Sequence, residues 1–178
     1  MKKALLIFLL IGGFVSTAGA QQSDRVLFDR VSDQVNGYGQ FTIFDSVYAQ
    51  IEDGIVTLSG KVTHSYKSSE IEERVAKVNG VKEVRNEIGV LPASPFDDSL
   101  RAEIARALYA HPVISTYGLG PNPSIHVIVE HGRVTLEGVV NNDMDRKIAE
   151  SIARSSLAYS VVNDLKTPDE VRQAIRQL

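Results

Sequence analysis

The sequence contains no cysteine and no tryptophan. Without cysteine there is no disulfide, no thiolate metal ligand and no lipid-bearing N-terminal Cys, so stability must rest on ordinary packed cores. Basic residues are also in the minority: 19 Lys and Arg stand against 22 Asp and Glu, for a net charge of −3. Nucleic-acid binding rests mainly on neutralising phosphates, and an acidic chain is poorly suited to it. The same balance argues against a polybasic mechanism for holding anionic lipid. Long apolar runs are missing too. The stretch from Ala4 to Val15 is about 12 residues, short of the roughly 20 that span a bilayer.

That stretch has a different layout. Lys2 and Lys3 precede it, two glycines interrupt it, and Ala18-Gly19-Ala20 supplies small residues at cleavage-site spacing. The pattern predicts a secretory signal peptide over residues 1–20, cut after Ala20, with a membrane anchor as the alternative. Cleavage leaves 17 basic residues against 22 acidic ones, a net charge of −5, and a mature chain starting at Gln21. No transmembrane helix is expected in that mature chain.

What remains is a repeat. Gly54-Ile55-Val56-Thr57-Leu58-Ser59-Gly60-Lys61-Val62 aligns with Gly132-Arg133-Val134-Thr135-Leu136-Glu137-Gly138-Val139-Val140. Downstream, Ile71, Ala76, Val84 and Asn86 match Ile148, Ala153, Val161 and Asn163; upstream, Leu27, Val31 and Val35 match Leu100, Ile104 and Leu108. The spacing changes only between periodic segments, where loops belong.

Each copy reads helix, strand, strand, helix, strand. Leu27, Val31 and Val35, like Leu100, Ile104 and Leu108, form one apolar stripe on a helix. Val47, Ala49 and Ile51 alternate with Tyr48, Gln50 and Glu52, as Ile125, Val127 and Val129 alternate with His126, Ile128 and Glu130, which predicts half-buried strands. Asp53-Gly54 and, more weakly, His131-Gly132 suit a two-residue hairpin turn. Val56, Leu58, Gly60 and Val62 face inward in the next strand, and Gly60 and Gly138 leave room for a helix to approach. Ser69 with Glu72 fits a capping box for the second helix, and Asn142 fits its cap in the other copy. Ile71, Val75 and Val78, or Met144, Ile148 and Ile152, form its stripe.

The fold class is therefore α+β: two tandem αββαβ domains, each a three-stranded mixed sheet with two helices on one face and a right-handed crossover into the last strand. The first copy is assigned to residues 24–91, a linker including Pro92-Ala93-Ser94-Pro95 to 92–96, and the second copy to 97–166. Thr167, Pro168 and Glu170 then open a short amphipathic helix over 168–178 with Val171, Ile175 and Leu178 on one face. It either docks on its own domain or serves as a partner-binding or membrane-surface helix.

No catalytic constellation, cofactor loop or metal set emerges. His64, His111, His126 and His131 do not combine with a convergent third ligand at a metal spacing. Asp97-Asp98 and the pair Asp143 and Asp145 lie at helix starts, where negative charge suits the dipole. Asn86 and Asn163 fall on the inward side of the last strand and need hydrogen bonds there. The segments between first helix and first strand are apolar and aromatic: Gly37 to Phe44 in one copy, His111 to Pro123 in the other. They seal the core or bind a partner, and Tyr38, Phe41, Tyr117 and Leu119 are the candidate binding surface.

The hairpin Asp53, Gly54, Val56, Thr57, Leu58, Gly60 and Val62, followed by Gly80, Val81, Val84 and Asn86, resembles the BON domain of bacterial envelope proteins. Gly132, Val134, Thr135, Leu136, Gly138, Val140, Val161 and Asn163 repeat the likeness, while Gly80-Val81 becomes Leu157-Ala158. The resemblance implies a periplasmic, non-enzymatic module without catalytic residues, similar to osmotically inducible periplasmic proteins. Gly54, Gly60, Gly80, Asn86, Gly132, Gly138 and Asn163 would then be structural. It implies that the partner is a phospholipid surface or an envelope protein, with a role in envelope integrity or osmotic-stress protection. A chaperone-like stress protein acting on unfolded or partner proteins is the alternative. The oligomeric state is left open.

Overall fold

A computed structural model describes residues 18–119 and 123–176, with side chains described from Asp24 to Gln173. The expected signal peptide lies almost wholly outside the described residues. The first copy runs α1 (Ala18–Asn36), β1 (Ser46–Glu52), β2 (Ile55–Val62), α2 (Ser65–Ala76), β3 (Glu83–Asn86) and β4 (Gly89–Val90). β1 pairs antiparallel with β2, and β3 and β4 both pair parallel with β2. The last strand is thus longer than three-strand counting suggests: it breaks at Glu87 and Ile88 and rejoins β2 at Lys61 and Val62.

The second copy repeats the path: α3 (Pro95–Ala110), a 3-10 turn (Ile114–Gly118), β5 (Ile125–Glu130), β6 (Arg133–Gly138), α4 (Asp143–Arg154) and β7 (Ser160–Asn163). Its sheet has the order β5-β6-β7, and the counterpart of β4 is a single bridge between Val139 and Lys166. Among the described residues no helix is long and apolar enough to cross a membrane.

The predicted stripes build two cores. Leu27, Val31, Val35, Val56, Leu58, Val62, Ile71 and Val75 are buried in one, and Leu100, Ile104, Leu108, Ile125, Val127, Val134, Leu136 and Val140 in the other. Asp53 and Gly54 take φ values of 52° and 81°, and His131 and Gly132 take 52° and 72°, the left-handed pair that a two-residue hairpin requires. Each turn is capped from the first helix. The Asp97 carboxylate accepts from the N–H groups of His131 and Gly132 at 2.9 and 2.8 Å, and Asp24 accepts from Asp53 N at 3.3 Å.

Several local expectations are corrected. α2 starts at Ser65, so Ser69 and Glu72 lie inside the helix and form no capping box; Glu72 instead accepts from Asn86. Gly60 and Gly138 do not make room for a helix. A Cβ there would sit 2.2 Å from Ser46 O and 2.0 Å from Ser124 O, the backbone of the adjoining strand, and both residues have positive φ. In α4 the buried line is Asp145, Ala149 and Ala153, with Ile148 and Ile152 flanking and Met144 exposed, so the helix is turned relative to α2.

The C-terminal helix α5 (Pro168–Arg176) has the expected capping box: Glu170 accepts from Thr167 N at 2.7 Å, and Thr167 Oγ1 accepts from Glu170 N at 3.4 Å. Glu170 also takes both oxygens to Arg146 Nη1 at 2.8 and 2.9 Å, tying the helix start to its own copy. The side chains of Ile175 and Leu178 lie outside the described residues.

Candidate binding surface

The first copy folds its aromatic loop inward. Tyr38 is buried and donates its hydroxyl to Glu70 at 2.7 Å. Phe41 packs edge-on against it with ring centroids 5.5 Å apart, and the Arg74 guanidinium lies 5.9 Å from the Tyr38 ring. Burial, followed by the Glu70 carboxylate, raises the Tyr38 hydroxyl above its ordinary range. In the second copy Tyr117 is likewise buried; it donates to Asp145 and accepts from Asn141 N at 2.9 Å. These three rings close their cores. Leu119 does not, and 78% of it is exposed.

The two asparagines clip the last strand to the helix that precedes it. Asn86 Nδ2 donates to Ser68 Oγ at 3.0 Å and Glu72 at 2.7 Å, and its carbonyl accepts from Ile88 N at 3.1 Å. Asn163 donates to Arg146 O at 3.0 Å and Glu150 at 3.3 Å, and accepts from Leu165 N at 3.3 Å. Among the described residues no group of three or more His, Asp or Glu is placed to hold a metal ion. A groove on the first copy is lined by Gln50, Glu52, Ile55, Thr57 and Arg85.

The outward sheet faces are partly used up against each other. Tyr48 donates to Glu137, and Lys61 contacts Glu130 at 2.9 Å. Ile43 O accepts from Val127 N at 2.7 Å on the free edge of β5, and Phe44 packs on the second core. Lys61 and Glu130 are more than a third exposed, so their pairing contributes at most about 1 kcal/mol. The Phe44 ring is the stronger fastener, because burying an aromatic ring removes far more apolar area from water. Behind it, Asp45 and Lys67 form a buried ion pair at 2.6 Å, 0% and 3% exposed. Asp45 also accepts from the N–H and hydroxyl of Thr42 and of Thr63 at 2.7–2.8 Å. Burial pushes its carboxyl up, but Lys67 and the threonine donors outweigh that and hold it below the carboxylate range.

Of the exposed apolar side chains, sequence reading named Leu119 and missed Phe96, Leu157 and Tyr159. Among the described residues, exposed large apolar side chains are more numerous on the second copy: Phe96, Val113, Leu119, Val139, Met144, Leu157, Tyr159 and Val162, against Val26, Tyr66 and Val90 on the first. Periodicity could not flag Phe96, Leu157 and Tyr159, since they lie at the start of a helix and in a turn. Comparing the copies position by position could have done so, for Ser23, Gly80 and Lys82 stand in their places.

Residues 23–92 and 96–169 each match the BON domain. The chain belongs to the BON domain family and carries the domain twice. That family is a non-catalytic one, known for binding phospholipid and envelope components. No curated protein matches the chain. Two solved structures of CdsD, a structural protein of the type III secretion system of Chlamydia trachomatis, align at 16% identity over 85% of this chain. They cover 69% and 97% of those chains, with TM-scores of 0.34 and 0.29, too low to bear on function.

Proposed function

We propose that this chain is an exported, periplasmic envelope-binding protein that engages a phospholipid surface or an envelope protein, in support of envelope integrity under osmotic stress. One observation carries the reading beyond family membership: the exposed apolar side chains are concentrated on the second copy, while the first is occupied in holding its neighbour. An acidic chain with exposed aliphatic and aromatic groups favours contacts that tolerate salt. The test is co-sedimentation of residues 21–178 with anionic and with zwitterionic vesicles at low and physiological salt. Binding that persists at physiological salt supports the reading. Failure to pellet with either vesicle removes the lipid partner and turns the search to proteins, including unfolded clients.

A further inference from the structure

The end of the second copy that carries the β5–β6 turn presents two stacked aromatic rings to solvent. Phe96 and Tyr159 have centroids 5.9 Å apart and an interplanar angle of 25°. Tyr159 is 79% exposed and Leu157, on the same turn, 76%. The seat is specific: a Cβ on Gly132 would lie 2.7 Å from the Tyr159 ring and 3.1 Å from the Phe96 ring, and Tyr159 N donates to Gly132 O at 2.8 Å. Three separate chain segments therefore meet to hold these side chains outward. In the first copy the corresponding turn is covered by Lys82, whose ammonium donates to Asp53 O at 2.8 Å.

The carboxylates at this end already have partners. Asp97 is engaged by the turn N–H groups, Asp98 by Arg101 and Glu130 by Lys61. Arg133, next to Gly132, is exposed; it stands across the hairpin from Glu130, whose carboxylate is taken by Lys61, and forms no ion pair of its own among the described residues. A phenol, a phenyl ring, a leucine and a free guanidinium together match the headgroup boundary of a bilayer, where amphipathic rings and Arg settle. Size argues the same way. A stable protein interface takes about 20 to 30 residues a side, far more than this tip offers, whereas a membrane needs only a few side chains to insert.

We infer that Phe96, Leu157 and Tyr159 form a tip that inserts into the surface of a phospholipid bilayer, with Arg133 on lipid phosphate. This rests on the envelope-binding reading and names its partner and its contact. Because the chain has no tryptophan, Tyr159→Trp gives a single reporter in residues 21–178, and Lys82→Trp places the same reporter on the first copy. On vesicles of phosphatidylglycerol and phosphatidylcholine the Tyr159→Trp emission should shift to the blue and be quenched by brominated acyl chains, while Lys82→Trp should do neither. The triple change Phe96→Ser, Leu157→Ser, Tyr159→Ser should weaken vesicle partitioning at least about tenfold with an unchanged melting midpoint. Wild-type binding with an unshifted Tyr159→Trp reporter, or an undiminished triple variant, overturns the tip and leaves the broader reading standing. A wild-type chain that ignores vesicles overturns the tip and the lipid partner together, and leaves only the envelope-protein arm of the broader reading. A blue shift that grows with protein concentration in the absence of lipid overturns the tip in favour of self-association.

Discussion

In the first copy the backbone N–H of Thr63, just past β2, donates to the Asp45 carboxylate at 2.7 Å. In the second, the corresponding N–H of Asn141 donates to the Tyr117 hydroxyl at 2.9 Å. The buried carboxylate has moved as well. It precedes β1 as Asp45 in one copy and sits on α4 as Asp145 in the other, where it accepts a hydrogen bond from the Tyr117 hydroxyl. Lys67, the partner of Asp45, is matched by the exposed Met144. The shared aliphatics and glycines fix the sheet and helices, and the corner beside them is free to differ. In the first copy that corner is charged, dry and attached to residues 42–45, which fasten the second copy. In the second copy the corner has no ion pair: Tyr117 joins the Asp145 carboxylate to the Asn141 N–H, and the exposed apolar groups lie elsewhere on that copy. One copy holds; the other is left to make contact.

The largest expected effect breaks this contrast at its charged end. Lys67→Ala removes one member of a buried ion pair and should cost about 3 kcal/mol, the lower part of the usual range because four threonine donors remain on Asp45. Met144→Ala, at the matching position, should change stability by less than about 0.5 kcal/mol. Urea unfolding of the two variants compares them directly, and equal costs would mean the ion-paired corner is no more structural than its counterpart. The same corner gives an acid limit. The folded Asp45 carboxyl titrates below its ordinary value, so its contribution is complete above about pH 3.9 and is lost as pH falls further through the folded value. Below about pH 3.9 acid should therefore loosen the first copy at this corner.

A smaller effect tests the fastening itself. Phe44 is half-buried on the second core, so Phe44→Ala should cost about 2 kcal/mol, less than for a fully buried ring. Its signature is in the shape of the melt. Calorimetry should show one transition separating into two as the copies lose their coupling. A single transition at an unchanged midpoint would assign the coupling to the polar contacts Tyr48 to Glu137 and Lys61 to Glu130 instead.

The cores, the strand phases and both hairpin turns were legible because they obey periods of 3.6 and 2 and because Asp53-Gly54 states its own turn type. Repetition did the rest: Leu27, Val31 and Val35 gain force when Leu100, Ile104 and Leu108 reproduce them. The start of α2 was not legible, since His64 supplies no side-chain cap and Ser69 mimics one. The role of Gly60 was misread because positive φ and a neighbouring carbonyl leave no trace in the pattern. The candidate loops showed the limit of composition. Tyr38 and Leu119 are both apolar loop residues, and only the fold separates the one that fills a core from the one that meets solvent. Phe96 and Tyr159 come together across 63 residues of sequence, which no local window spans.

Tyr48 and His126 occupy corresponding positions in the two copies and both lie at the seam, yet burial moves them in opposite directions. Burial and the Glu137 carboxylate raise the Tyr48 hydroxyl, which stays protonated. Burial holds the His126 imidazole below its ordinary 6.5, against the opposing pull of the Asp45 and Thr42 carbonyls and the Glu137 and Asp45 carboxylates. Its Nδ1 is buried with no hydrogen-bond partner among the described residues. A depressed folded value means that the unfolded chain binds the proton more readily, so stability is full above about pH 6.5 and falls as pH drops toward the folded value. His126→Gln should flatten the melting midpoint between pH 7.5 and pH 5, where the wild type declines. Adding Phe44→Ala should shrink the wild-type slope, because opening the seam lets water reach the ring. If His126→Gln keeps the full slope, the proton that weakens the seam belongs to another group.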